Sequence, residues 1–309
     1  MASQDDLSAA SLFNIKGWVA VVTGGGSGLG LVTAKALAAN GVKVYVTGRR
    51  ADKLKDAETQ HPSGGSIIAV QMDVTDKESI QAGVDTIAKN EKFINFLVNN
   101  AGVTSGKPSF LFSYHVVAKI SLTPSHPVNY GPEGLPKGSP AEISKTMLNN
   151  QTFDDWTWIY KVNVASYYFT SAAFLPLLCA AKDNGFSDAG SILNISSISG
   201  ITKESQNGQF SYNASKAATI SLTEQLAVDF KRLEVRVNTL APGYFPSEMT
   251  PIENDKGNEK KHFQEKWGIP FGRAGQPRDY AQAVLNFAVN QYVTGSTLVI
   301  DGAWLLAHA

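Results

Sequence analysis

The chain has 309 residues, 43% of them hydrophobic, and its 27 basic and 27 acidic side chains cancel to a formal net charge of zero. That balance excludes the electrostatic footprint of a nucleic-acid or anionic-membrane binder, so the expected partner is a small molecule. Cys179 is the only cysteine, which excludes an internal disulfide and a cysteine-built metal site.

The opening Met-Ala-Ser-Gln-Asp-Asp is acidic where a targeting peptide would be basic, and no uninterrupted apolar run reaches ~18 residues, so a cytoplasmic protein without a membrane span is expected. Residues 18–24, Trp-Val-Ala-Val-Val-Thr-Gly, are apolar and β-branched without alternation, as in a strand buried on both faces of a parallel sheet. The run Thr23-Gly-Gly-Gly-Ser-Gly-Leu-Gly30 follows and opens a helix expected over 29–40, closed by Gly41. Strand, glycine turn and helix in that order bring backbone N–H groups and a helix N-terminus to a pyrophosphate, with Gly24, Ser27, Gly28, Leu29 and Gly30 as candidate contacts.

A second strand, 42–47, ends in Gly48-Arg49-Arg50, and a solvated helix is expected over 50–60. An NAD site usually carries an acid at this strand end for the ribose hydroxyls; Arg49 and Arg50 instead suit a 2′-phosphate and point to NADP(H). A third strand, 66–72, leads into Asp73-Val74, where the carboxylate is suited either to an adenine amino group or to capping the next helix, a job for which Thr75 and Asp76 compete. The fourth strand, 94–98, runs into Asn99-Asn100-Ala101-Gly102.

Periodicity then dissolves. Residues 104–150 carry Pro108, Pro124, Pro127, Pro132, Pro136 and Pro140 and read as an irregular insertion, with at most a helical turn at 143–148. His115 and His126 within it lack paired carboxylates at ligand spacing, so no metal site is expected. A helix over 153–181 carries Asn163, a strand over 191–195 ends in Ser196-Ser197-Ile198-Ser199-Gly200, and a long helix runs from Tyr212 to 233. A strand over 235–240 precedes Pro242-Gly243; the polar segment 244–272 holds a short helix near 258–266; helix 277–289 and strand 297–300 finish the chain. Strands alternating with helices predict an α/β doubly wound parallel sheet, a Rossmann fold, as a single domain over residues 1–309.

The run Tyr212-Asn-Ala-Ser-Lys216 puts a phenol and an ammonium on one helix face. A lysine charge within a few ångströms favours the phenolate, so Lys216 is expected to draw the Tyr212 pKa down and fit it for general acid or base work.

From about residue 16 to 304 the motifs resemble the short-chain dehydrogenase/reductase family: Thr23–Gly30 its cofactor glycine turn, Asn99-Asn-Ala-Gly102 its sheet-stabilising motif, Tyr212-Asn-Ala-Ser-Lys216 its catalytic motif. Asn194-Ile-Ser-Ser197 resembles the segment with the catalytic serine, and Asn163 matches the helix-borne asparagine of the tetrad. The resemblance therefore implies Asn163, Ser197, Tyr212 and Lys216 as catalytic residues. It also implies Asn100 and, from Pro242-Gly-Tyr-Phe-Pro-Ser247, Gly243, Phe245 and Ser247 at the cofactor. Ser197 precedes Tyr212 by 15 residues, longer than the family's usual spacing by about two, which keeps Ser199 as an alternative, and the gap from Gly102 to Asn163 is also longer than usual.

Within the family, 241–250 and 269–275 look closest to ketoacyl-reductase-like members that use NADPH. The implied reaction is hydride transfer to a C=O or C=N group of a bulky, largely apolar small molecule. The alternatives are a ketoacyl thioester reductase, a nucleotide-sensing regulator, and a non-redox cyclase of secondary metabolism that uses Tyr212 as an acid on an imine. A homodimer or homotetramer through the Asn163 and Tyr212 helices is implied as well. Phe110, Leu111, Phe112, Tyr114, Tyr130 and Leu135 are expected to wall a substrate pocket with Tyr244 and Phe245, Tyr130 and Tyr244 being the chosen substrate contacts.

Overall fold

The computed structural model describes residues 6–104, 138–206, 208–247, 250 and 259–308. A short helix α1 (Ala9–Leu12) precedes β1 (Val19–Thr23), all five residues of which are buried. Helix α2 (Gly28–Ala39) leads to β2 (Lys43–Gly48), and α3 (Ala51–Ala57) to a two-residue strand β3 (Thr59–Gln60) and then β4 (Ser66–Gln71). Helix α4 (Lys77–Ala88) returns the chain to β5 (Phe96–Asn99). Helices α5 (Pro140–Asn150), α6 (Phe153–Tyr160) and α7 (Ser166–Asp183) come before β6 (Ser191–Ile195), α8 (Phe210–Phe230) and β7 (Arg236–Pro242). Helices α9 (Glu259–Glu265) and α10 (Pro277–Val289), strand β8 (Thr297–Ile300) and helix α11 (Trp304–Ala307) complete the described chain.

The strands form one sheet in the order β3-β4-β2-β1-β5-β6-β7-β8, parallel at every junction except β3 with β4. Side chains alternate across a strand, so β1 feeds two cores: Ala20 and Val22 pack with Leu37, Tyr280 and Phe287 on one face, Val19 and Val21 with Phe174, Leu178 and Leu226 on the other. Because β1 pairs with β2 on one side and β5 on the other, the strand order reverses at β1, and a crevice opens beyond the carboxyl ends of these strands. A buried polar chain lies beside it: Asn99 Nδ2 donates to Ser171 Oγ (3.0 Å) and Asn194 Oδ1 (2.9 Å), and Asn194 Nδ2 to Thr223 Oγ1 (2.9 Å).

Three elements differ from expectation. Helix α3 stops at Ala57, short of residue 60, because β4 has an open edge that Thr59 and Gln60 pair antiparallel, while the Glu58 carboxylate accepts from Ala69 N–H at 3.2 Å. Helix α5 is a full eleven residues inside the stretch expected to be irregular; Ser139 and Glu142 form a capping box and Pro140 stands in the first turn, where its missing N–H costs nothing. The helix over 153–181 is interrupted at Lys161–Ala165 by one π-helical turn centred on Asn163. The joined helix Phe153–Asp183 is, among the described residues, the one long and apolar enough by composition to cross a membrane; here Tyr167, Phe174, Leu178 and Ala181 are buried in the fold.

Candidate active site

The glycine turn is shaped by two left-handed residues, Gly24 (φ +66°) and Gly28 (φ +51°). Asn100 pins it to the end of β5: its Nδ2 donates to the carbonyls of Thr23 (2.9 Å) and Gly24 (3.3 Å), while Thr23 Oγ1 accepts from the N–H groups of Asn100 (3.0 Å) and Ala101 (3.1 Å). Gly24, Ser27, Gly28 and Leu29 line a cleft of about 510 Å³ with Asp73, Val74, Asn100, Gly243, Phe245 and Ser247. Gly30, also expected at the cofactor, stands behind the turn and does not line the cleft. A Cβ on Gly30 would stand 2.3 Å from the Gly24 carbonyl oxygen, so this glycine packs the start of α2 against the turn.

Arg49, Arg50 and Lys53 gather at one end of the cleft. Arg50 Nη2 donates to Ser27 Oγ at 3.0 Å, and the Arg49 guanidinium carbon stands 5.6 Å from the centroid of the Trp158 ring. Asp76 caps α4 by accepting from Ser79 N–H (2.7 Å), which leaves Asp73 out of that role; Asp73 Oδ1 instead accepts from the N–H (2.9 Å) and hydroxyl (2.8 Å) of Thr75. Glycines that let backbone approach closely, a helix N-terminus and a cation cluster with no acid at residues 48–50 fit a phosphate-bearing dinucleotide.

At the other end, Tyr212 and Lys216 project from the first turns of α8 into the same cleft as Ser197. Lys216 is buried, its Nζ donates to the Ile195 carbonyl at 2.9 Å, and burial pushes its pKa down to about 8. Burial also raises the Tyr212 pKa; a hydrogen bond with Ser197 works against that rise and Tyr244 adds to it. The expected lowering of Tyr212 by Lys216 is thereby corrected: desolvation dominates, and the ammonium, with its Nζ 5.8 Å from the phenol ring centroid, engages the Ile195 carbonyl instead. Ser197, not Ser199, meets the phenol. Ser199 supports it, since Ser197 Oγ accepts from Ser199 N–H and donates to Ser199 Oγ, both at 3.1 Å.

Asn163 is fully buried in the π turn and faces the chain that leaves β5. Its Oδ1 accepts from Val103 N–H (2.9 Å), and its Nδ2 donates to Val103 O (2.9 Å) and Ser215 Oγ (3.0 Å). Thr219 Oγ1 donates to its main-chain carbonyl at 3.0 Å. An added Cβ on Gly102 would lie 3.4 Å from Asn163 Oδ1 and 3.5 Å from Lys216 Nζ, so the bare backbone of Gly102 slots between the two side chains.

Beyond Ser197 and Tyr212 a second cavity, about 1280 Å³, reaches Tyr244, Trp267, Trp304 and His308. The Tyr244 ring meets Trp267 (5.1 Å) and Trp304 (5.9 Å) edge to face, and His308 stacks on Trp304 at 4.0 Å. Trp304 Nε1 donates to the Trp267 carbonyl (3.0 Å) and Trp267 Nε1 to His262 Nε2 (3.3 Å). Tyr244 lines this second cavity, whereas Phe245 packs on Tyr280 and under Gly275 and lines the cleft of the glycine turn. Tyr130, Phe110, Leu111, Phe112, Tyr114, Leu135, His115 and His126 lie outside the described residues. The sequence reading missed Val103, Val162 and Ile195 along the cleft and Trp267, Trp304 and His308 in the cavity. Val162 and Ile195 adjoin motif residues and were within reach; the last three carry no local signal.

Residues 139–304 match the family model described as enoyl-(acyl carrier protein) reductase, and residues 18–120 that described as short chain dehydrogenase. The chain is 35% identical over 303 residues to the short-chain dehydrogenase/reductase PhomF of Diaporthe leptostromiformis, covering 97% of this chain and 95% of that one. It is 29% identical to the 3-oxoacyl-[acyl-carrier-protein] reductase FabG of Chlamydia pneumoniae, over 91% of this chain and 94% of that one. Among solved structures it is similar to the Pseudomonas aeruginosa RhlG/NADP active-site complex, with a TM-score of 0.70, 26% identity and coverage of 95% and 98%. With the ordered motifs, the sheet and these relatives in agreement, the chain belongs to the short-chain dehydrogenase/reductase family of oxidoreductases.

Proposed function

We propose that the protein is an NADPH-dependent reductase acting on a C=O or C=N group of a bulky, largely apolar small molecule, with Tyr212 as the general acid. The observation that carries this reading is continuity: Ser197 and Tyr212 line both the cleft of the glycine turn and the aromatic cavity, so they stand where a dinucleotide and a substrate would meet. The dinucleotide, when bound, supplies the hydride. A half-buried phenol with a raised pKa stays protonated at neutral pH, as a proton donor must. The Ser197 oxygen is held by the Ser199 N–H, and its hydroxyl would turn its one proton from Ser199 Oγ to the reacting oxygen beside it. Lys216 places positive charge 5.8 Å from the centre of the phenol ring and would hold the nicotinamide ribose, and Asn163 fixes Val103 and the Gly102 backbone against that lysine.

Three features support NADPH. Arg49 and Arg50 offer charge-assisted hydrogen bonds to a 2′-phosphate, no acid stands at this strand end to receive ribose hydroxyls, and the similar Pseudomonas aeruginosa RhlG structure is an NADP complex. The volume of the cavity supports a large substrate, and the Tyr244, Trp267 and Trp304 rings offer it an apolar wall beside the polar Lys203, Glu204 and Gln206 segment. A panel of bulky ketones and imines, followed at 340 nm with NADPH, tests the reading: stoichiometric loss of absorbance with reduced product supports it. Product formation with no NADPH consumed overturns it in favour of a non-redox reaction.

A further inference from the structure

Arg49 and Arg50 are adjacent in sequence but are held by different elements, the glycine turn and helix α6. Arg50 is tied to the glycine turn through Ser27 Oγ at 3.0 Å. Arg49, exposed at the end of β2, reaches to the indole of Trp158, its guanidinium carbon 5.6 Å from the ring centroid. Trp158 is buried on α6, whose first turn is fixed by a capping box between Thr152 and Asp155, and stands one turn before Val162, which lines the cleft. A long side chain at an exposed strand end samples many rotamers, and ordering it on a phosphate costs entropy at the moment of binding. A rigid aromatic face over which a guanidinium rests removes part of that cost beforehand.

We propose that Trp158 is a positioning residue that holds Arg49 at the adenosine end of the cleft, ready for the 2′-phosphate of the cofactor. The inference rests on the NADPH reading of the site. It assigns cofactor discrimination to a residue more than 100 positions away from the arginines, on the far side of the strand-order reversal. Because Trp158 acts through Arg49, its removal should weaken ligands with a 2′-phosphate and spare those without one.

The test is calorimetric titration of the full chain with two fragments, 2′,5′-ADP and 5′-ADP. Trp158→Leu should weaken 2′,5′-ADP about three- to fivefold while leaving 5′-ADP unchanged. Trp158→Phe should retain most of the discrimination, and Trp158→Leu should have no further effect on it in an Arg49→Gln background. Equal weakening of both fragments, the mark of a tryptophan that merely shapes the adenine pocket or supports the fold, would overturn the proposal, as would an unchanged ratio. Wild-type protein that fails to separate the fragments defeats the NADPH reading itself; separation undiminished by Trp158→Leu defeats only the role of Trp158. Should Trp158→Leu not fold, 5-fluorotryptophan labelling supplies the second measurement. The Trp158 fluorine resonance, assigned by its loss in Trp158→Phe, should move in ligand-free Arg49→Gln, and a resonance that stays put overturns the contact.

Discussion

Lys216 donates its buried ammonium to the Ile195 carbonyl at 2.9 Å, with its Nζ 5.8 Å from the centroid of the Tyr212 ring. Its pKa falls from 10.5 to about 8 because burial penalises the charge. Between those values the unfolded chain holds more protons than the folded one, so this group makes unfolding free energy rise with pH from about 8 towards 10.5. Relative to Lys216→Met, the wild type should gain roughly 2 kcal/mol between pH 7.5 and 10. Urea unfolding of both proteins across that range measures it, and parallel curves would contradict the buried, depressed lysine. The raised Tyr212 pKa acts in the opposite direction above pH 10 and is common to both proteins.

Tyr212→Phe keeps the ring and removes the proton donor. Turnover with NADPH and a reducible substrate should fall by at least ~10²-fold while the dissociation constant for the dinucleotide stays within a few-fold of wild type. Near wild-type turnover would take the acid role away from Tyr212.

Arg49→Asp replaces a phosphate partner with a repelling charge. Affinity for NADPH should drop about tenfold or more and the preference over NADH should vanish or reverse, read by fluorescence titration with each dinucleotide. A wild type that binds NADH as tightly as NADPH would refute the reading of this strand end.

Gly30→Ala should destabilise the protein by about 1–3 kcal/mol. Its methyl group would sit 2.3 Å from the Gly24 carbonyl oxygen and 2.4 Å from Asn100 Nδ2, both held by the β5 end. Thermal unfolding should show the loss, and dinucleotide affinity should fall with it because the turn must shift. An unaffected melting temperature would mean that the turn yields freely.

Helices α6, α7 and α8 leave Phe153, Tyr168 and Val228 exposed at 94%, 49% and 57%. We expect these helices to pair with a second copy, as the family resemblance implies, giving a homodimer or homotetramer. Light scattering at micromolar concentration should report a multiple of 33.1 kDa, and Tyr168→Glu with Val228→Lys should shift it towards the single chain. A wild type of 33.1 kDa would exclude the assembly.

What the sequence determined by itself is local. The strand, glycine turn and helix at 19–39 are legible because a β-branched run, left-handed glycines and a helix start follow one another without a gap. Tyr212 and Lys216 are legible because the helix repeat alone puts them on one face. Helix α5 was legible in principle through Ser139 and Glu142, but the surrounding prolines concealed it. Tertiary structure decided everything that depends on distance in the chain or on exclusion of water. It turned Lys216 to the Ile195 carbonyl, raised rather than lowered the Tyr212 pKa, and set Asn163 on Val103. It also brought Tyr244, Trp267, Trp304 and His308 into one cavity and Trp158 to Arg49. A pKa follows the dielectric around a group, and a pocket follows the convergence of segments remote in sequence; neither is encoded in the spacing of neighbours, so both waited on the packing of helices against the sheet.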